Sequence, residues 1–139
     1  KINFQPLKLN AKGIGLKNES VFTLGYPWTN TMEDQHVLIE GSTIADSASV
    51  LIKLKMSLDP VHSGSPLFNA NQEVIGMVLL GVHAKSVFPV KAVHDFAIPG
   101  MMLEKAAEKI VKYSQPVQNL SRDSFILKSK NNIVLIEAR

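Results

Sequence analysis

The stretch S-G-S-P-L-F-N-A-N-Q-E-V-I-G-M-V at residues 63–78 predicts a tight turn followed by a β-hairpin. The turn is indicated by the Pro, Gly and Ser residues that cluster over 59–66. A short apolar arm at 67–68, a polar turn at 69–72 and an apolar run at 73–81 then form the hairpin. Because the second arm is apolar on both faces, it is expected to be a buried central strand.

Further strands are predicted on both sides of this hairpin. Residues 21–28, 36–44 and 50–58 precede it, and residues 96–98 follow it. The clearest alternation lies in 50–58, where one side carries Ile52, Leu54, Met56 and Leu58 and the other carries Leu51, Lys53, Lys55 and Ser57. This period of two indicates an antiparallel sheet with one face in contact with water.

The C-terminal part of the chain contains the one helix that the sequence predicts with clear periodicity. Residues 101–114 place apolar side chains at helical spacing, and Pro116 follows. Residues 124–128 and 133–138 resemble two strands around a turn at 130–132. The sequence therefore predicts a mostly β protein, a small antiparallel barrel with one C-terminal helix.

Composition excludes several classes of protein. Of the 139 residues, 45% are hydrophobic and 19% are charged, which is typical of one globular domain with its own core. The absence of cysteine excludes disulfides and thiolate metal sites. No apolar run reaches the roughly 18 residues that span a bilayer, so no membrane span is expected in this chain.

The net charge of +3 does not indicate a nucleic-acid surface. Residues 1–99 hold eight basic and eight acidic side chains, whereas residues 100–139 hold seven basic and four acidic ones. The excess is spread along the predicted helix and the tail, which is typical of a solvated helix face. A nucleic-acid site would instead combine a dense basic stripe with stacking aromatic side chains.

The turn around Ser63 is the segment that could carry chemistry. A serine that attacks a carbonyl must be exposed on a tight turn, and small neighbours let backbone N–H groups converge on the oxyanion. The octapeptide V-H-S-G-S-P-L-F at 61–68 meets these needs, but S-G-S-P also suits any surface turn. On these residues alone, both interpretations stay open.

The wider context resembles the trypsin-like, chymotrypsin-fold serine peptidases, most closely the HtrA and glutamyl endopeptidase branches. Residues 63–78 resemble the region after the nucleophile, and V-F-T-L-G-Y-P at 21–27 resembles the strand that ends in a Gly-x-Pro turn. D-F-A-I-P at 95–99, followed by a helix, resembles the F-A-I-P strand and C-terminal helix of HtrA peptidases. The resemblance covers residues 21–114. It implies a six-stranded chymotrypsin-type barrel, the second of the two barrels in such enzymes.

The resemblance also implies how the chain is divided and which partners it has. Residues 1–20 would connect from a missing N-terminal barrel, 21–115 would form the C-terminal barrel and helix, and 116–139 would be an extension containing a hairpin. The expected partners are a polypeptide substrate or peptide ligand and the missing barrel. HtrA relatives often form trimers, so a homo-oligomer is also an expectation. No cofactor is expected, and a bacterial periplasmic or secreted location is favoured by the resemblance alone.

The resemblance assigns catalytic roles to two positions of the turn. Ser63 stands at the nucleophile position, and its own N–H would be one oxyanion donor. Val61 stands where the family normally has the glycine that supplies the second donor. Because a β-branched residue resists the unusual backbone conformations that glycine adopts, this second donor is in doubt.

Other positions would bind the substrate. Leu79, Leu80 and Gly81 take the place of the strand that pairs with the substrate backbone. Ser57 would lie near the base of the primary specificity pocket, and His94 would stand on the pocket wall. Because position 57 holds an uncharged serine, the resemblance implies that the substrate side chain bound in this pocket is small or apolar.

The chain departs from the family most strongly in lacking the catalytic His and Asp, which come from the first barrel. None of its four histidines occupies that family position. His62 adjoins Ser63, but neighbouring side chains on such a turn point apart, and His36 is expected to be an exposed or packed strand residue. A metal site from His62, His83 and His94 has no short-spacing motif to support it.

Two functions follow as alternatives. In one, the chain is part of an active serine endopeptidase, with Ser63 as nucleophile and an acyl-enzyme intermediate. In the other, it is an inactive pseudo-peptidase that binds peptides as an interaction module. Val61 favours the module, whereas the S-G-S-P turn and the predicted substrate strand favour the enzyme.

Overall fold

The structure is a computed structural model that describes residues 6–12, 18–26, 36–59, 62–79, 95–108 and 120–132. It contains six strands and two short α-helices, the second of which continues into a 3₁₀ turn at Lys130–Asn132. The elements in chain order are β1 (Ser20–Gly25), β2 (Val37–Ile44), β3 (Ile52–Lys55), β4 (Pro66–Asn69), β5 (Val74–Leu79), β6 (Asp95–Pro99), α1 (Gly100–Ala106) and α2 (Arg122–Ser129).

The six strands form a closed antiparallel barrel in the order β1-β2-β3-β6-β5-β4. The barrel closes because β1 pairs with β2 along one edge and with β4 along the other. Each strand is therefore hydrogen-bonded to a neighbour on both of its sides, over the residues that pair. The prediction of a mostly β, six-stranded antiparallel barrel is confirmed.

The barrel interior holds the first of two hydrophobic cores. Five of the six strands contribute to this core. Its buried side chains are Val21, Ile52, Leu54, Leu67, Ile75 and Ala97. Met56 and Leu58 pack against the same cluster, partly buried. The predicted inward face of residues 50–58 is therefore confirmed, because a strand places every second side chain on one side.

A second core lies on the outer face of β1 and β4. It consists of Phe22, Leu24, Phe68, Val74 and Phe125. The rings of Phe22 and Phe68 stack with centroids 5.0 Å apart, and Phe125 of α2 meets both rings edge-on. Helix α2 thus covers the outside of the barrel, and β1 is buried on both of its faces.

The predicted strand at 124–128 is wrong, because these residues lie within α2. The helix begins after Ser121, whose side chain accepts a hydrogen bond from the Ser124 N–H. Within the helix only Phe125 and Ser129 are buried, four residues apart and therefore on one face. One aromatic side chain facing the barrel is enough to dock the segment, whereas a strand would have needed a partner edge. The second predicted strand, 133–138, lies outside the described residues.

Helix α1 is shorter than the predicted helix at 101–114. It begins at Gly100 and ends at Ala106, and Ala107 is its C-cap with φ of −91° and ψ of 4°. The Ala107 N–H is shared between the carbonyls of Leu103 and Glu104, so the last turn tightens toward 3₁₀ geometry. Residues 109–114 lie outside the described residues. No helix in the described ranges is long and apolar enough to cross a membrane.

The N-terminal segment 6–12 is fastened to the barrel beside the β4–β5 turn. Leu9 forms an isolated parallel bridge with Val74, supported by bonds of 2.8 Å from Asn10 N–H to the Val74 carbonyl and from Val74 N–H to the Lys8 carbonyl. The segment is therefore bonded directly to the sheet, whereas the division of the chain into a connector, a barrel and an extension stays a prediction.

Candidate functional site

Ser63 is exposed in a tight turn that precedes β4. The Ser65 N–H donates to the His62 carbonyl at 3.0 Å, which closes the turn around Ser63 and Gly64. Just upstream, the His62 N–H donates to the Asp59 carbonyl at 2.9 Å. Gly64 has φ of +89°, in the left-handed region that favours glycine. The turn at 62–65 therefore presents Ser63 at the surface, as the sequence predicted.

Strand β5 holds the other side of this turn. Regular β4–β5 pairing ends at Pro66 and Met77. Beyond that pair, the Gly64 N–H donates to the Val78 carbonyl and the Val78 N–H donates to the Ser65 carbonyl, both at 2.8 Å. These two bonds extend the ladder into the turn, so that Ser63 is held next to the end of β5, where Leu79 is the last strand residue.

His62 faces inward while Ser63 faces solvent. The imidazole is 1% exposed and lies against the backbone of Gly25 in β1. A Cβ at Gly25 would come within 2.7 Å of His62 Cδ2 and 3.1 Å of Ser65 Oγ, so that only glycine leaves room for the ring. Nδ1 of the ring lies 3.1 Å from the backbone nitrogen of Asp59 and 3.1 Å from its backbone carbonyl oxygen. The opposite nitrogen, Nε2, is buried and has no hydrogen-bond partner in the described part of the chain.

Two of the predicted substrate-binding residues are described. Leu79 is half-buried and pairs with Phe96 of β6. Ser57 is exposed and lies shortly after the end of β3. Its predicted place at the base of a pocket stays a prediction. The remaining predicted site residues lie outside the described residues, and these are Val61, Leu80, Gly81 and His94.

The described histidines do not gather into a metal site. His36 is half-buried, with its ring 4.3 Å from that of Tyr26. It therefore packs, as one of the two expected alternatives, but it lies just before β2 and not within the strand. Within the described ranges, no group of three or more His, Asp or Glu side chains could hold a metal ion. His83, like His94, lies outside these ranges.

The largest pKa shift among the described groups lies at the far end of the β4–β5 hairpin from Ser63. Bonds from Lys8, Asn69 and Asn10 lower the pKa of Glu73 to about 2. The side-chain amide nitrogen of Asn69 lies 3.0 Å from the Glu73 carboxylate, and that of Asn10 lies 2.7 Å from it. Because this carboxylate joins the N-terminal segment to β4, it is a structural ion pair and not part of the candidate site.

The sequence predicted the turn that exposes Ser63 but did not indicate the residues that hold this turn in place. Gly25, Asp59 and Val78 contact the turn from three different parts of the chain. Gly25 carried a faint signal, because glycine inside a strand pattern often marks a close approach of another group. Nothing in the sequence indicated which group approaches it.

No protein-family model matches this chain, and no curated protein matches it either. The barrel is therefore established by the structure, whereas a relationship to serine peptidases stays a prediction from the sequence motifs.

Proposed function

We propose that this chain is the second barrel of a chymotrypsin-type serine endopeptidase, with Ser63 as the nucleophile. The observation that carries the proposal is the exposed Ser63 on a turn fixed at both sides, by Gly64 bonded to β5 and by the buried His62. A nucleophilic hydroxyl needs such a fixed and accessible position. The closed six-stranded barrel is also the fold that the resemblance implies.

Hydrogen bonding within the turn narrows the choice of oxyanion donors. The N–H groups of His62, Gly64 and Ser65 all donate to carbonyls of the barrel or the turn itself. The family resemblance assigns the role of oxyanion donor to the N–H groups of Ser63 and Val61, which are not among these three. If Val61 cannot turn its N–H toward the oxyanion, the loss is about 3 kcal/mol of transition-state stabilisation.

The proposed substrate is an extended polypeptide. Leu79 ends β5 directly after Val78, the residue that bonds to the Ser63 turn. A peptide paired with Leu79, Leu80 and Gly81 would then run past the serine hydroxyl by β-augmentation. Ser57 carries no charge, and His94 would narrow the pocket, so the preferred side chain at the cleaved bond is small or apolar.

The base in this proposal comes from a first barrel outside the chain. Ser63 Oγ would bond to the substrate carbonyl carbon and pass its proton to a histidine of that barrel. The histidine would then protonate the leaving amine as the peptide C–N bond breaks, and water would hydrolyse the acyl-enzyme. Neither described histidine suits the role, because the His36 ring packs on Tyr26 and the His62 ring is buried against Gly25.

A fluorophosphonate probe applied to the longer protein that carries both barrels tests the proposal. We expect covalent labelling at Ser63 that disappears in Ser63→Ala. The matched control is Ser47→Ala, since Ser47 is also an exposed serine in a turn, and labelling should persist there. Labelling mapped by mass spectrometry to another residue would overturn the assignment of Ser63.

An interaction module is the second candidate, and the valine at position 61 favours it. In this case the barrel would hold a peptide beside Ser63 without cleaving it. The same experiment separates the two functions. A folded protein with both barrels that is not labelled, yet binds an extended peptide in a fluorescence-anisotropy titration, would support the module and exclude the enzyme.

A further inference from the structure

His62 contacts the backbone of Asp59 in two ways, once through its own backbone and once through its side chain. The backbone N–H donates to the Asp59 carbonyl at 2.9 Å. The ring nitrogen Nδ1 lies 3.1 Å from the Asp59 nitrogen. Nδ1 also lies 3.1 Å from the Asp59 carbonyl oxygen, so whether it donates or accepts depends on the tautomer. In the tautomer with the proton on Nε2, Nδ1 accepts from the Asp59 N–H, and both backbone groups of Asp59 are then paired with His62.

We infer that His62 is a positioning residue for Ser63, clamping the turn between Asp59 and the backbone of Gly25. This inference rests on the proposed function, since it gives His62 a role in orienting the nucleophile. The ring occupies the space that a Cβ at Gly25 would fill. On the other side, Gly64 and Ser65 are bonded to Val78 of β5. Ser63 is the exposed residue between these two anchors.

Simple filling of the core does not account for a histidine at this position. Nε2 is buried without a hydrogen-bond partner in the described residues, and an unsatisfied buried polar group destabilises a fold. A leucine of similar size would fill the same space without that cost. The property that leucine lacks is the acceptor at Nδ1, which engages the Asp59 N–H.

Two substitutions of His62 distinguish the effect of its hydrogen bond to Asp59 from the effect of its side-chain volume. His62→Asn keeps an acceptor near the Nδ1 position and removes Nε2, whereas His62→Leu fills the space but accepts nothing. We would measure amide hydrogen exchange by NMR in the full 139-residue chain. Exchange of Gly64 and Ser65, relative to Ala97 in β6, should rise about tenfold in His62→Leu, the effect of one lost hydrogen bond. In His62→Asn it should stay within about threefold.

Gly25→Ala provides a second variant that leaves His62 intact. The added Cβ would displace the ring and should raise exchange at Gly64 and Ser65 in the same local manner. It serves the same purpose if His62→Leu does not fold. The inference is overturned if the Asn and Leu variants change these two amides equally, or if Gly25→Ala changes them no more than it changes Ala97.

The rate of fluorophosphonate labelling of Ser63, measured in the longer protein, is a second and independent test of the positioning role of His62. Ser63 should be labelled more slowly in His62→Leu than in His62→Asn, while a residue that only stabilises the fold would not separate the two variants. If the wild type is not labelled but the local exchange pattern appears, the clamp is supported and the peptidase proposal fails. If the wild type is labelled and the two variants react equally fast, the positioning role fails and the peptidase proposal stands.

Discussion

Gly64, the residue after Ser63, has φ of +89°, where residues with a Cβ are strained. A Cβ there would meet no atom within 4 Å, so the requirement for glycine is conformational and not steric. We expect Gly64→Ala to lower the free energy of unfolding by about 1–2 kcal/mol, measured by urea denaturation.

The matched control at this position is Gly64→Asn, because asparagine tolerates positive φ better than alanine does. The Asn variant should lose less stability than the Ala variant. Equal losses in the two variants would indicate that crowding and not backbone strain governs the turn. An Ala variant as stable as the wild type would contradict the positive φ itself.

At the scale of elements, α2 stabilises the barrel from outside through one aromatic side chain. Phe125 is buried and its ring lies 5.2 Å from that of Phe68 and 6.3 Å from that of Phe22. Phe125→Ala should lower the free energy of unfolding by about 3 kcal/mol, because it removes buried area and leaves a cavity over β1 and β4. Equilibrium denaturation followed by circular dichroism measures this loss.

Leu127 of the same helix provides the control. It is 67% exposed, so Leu127→Ala should change stability by no more than about 0.5 kcal/mol. Similar destabilisation by both substitutions would mean that helix formation, and not docking of Phe125, determines the contribution of α2.

Acid stability is a property of the whole molecule to which Glu73 contributes. Its pKa is lowered from 4.5 to about 2 in the folded state, chiefly by Lys8. Since the folded pKa lies below the unfolded one, the stabilisation is present above pH 4.5 and is lost as the pH falls toward 2. It amounts to at most about 2 kcal/mol, because solvent screens the exposed Lys8 ammonium.

Glu73→Gln should therefore be less stable than the wild type at neutral pH, and the difference should shrink between pH 4.5 and 2. Denaturation midpoints of the two proteins at several pH values test this. Asp46→Asn is the comparison variant, since Asp46 pairs with Lys53 at the surface and should change the profile less. A constant difference across the whole pH range would contradict the role of the Glu73 carboxylate.

The amino-acid sequence alone determined the strands, the barrel class and the turn that exposes Ser63. These features follow from local rules, since alternation fixes the inward face of Ile52 and Leu54, and Gly and Pro mark the turns. The helix at 122–129 was not predicted, because a short apolar run such as F-I-L is compatible with either a strand or a helix.

Only the tertiary structure decided which groups meet. Gly25 lies against His62, Val78 bonds to the Ser63 turn, and Phe125 covers Phe22, all through contacts between residues far apart in the chain. Local periodicity carries no information about such pairs, because they depend on barrel closure and register. The turn that exposes Ser63 was therefore readable from the local sequence, whereas the groups that hold it in place became visible only once the barrel had closed.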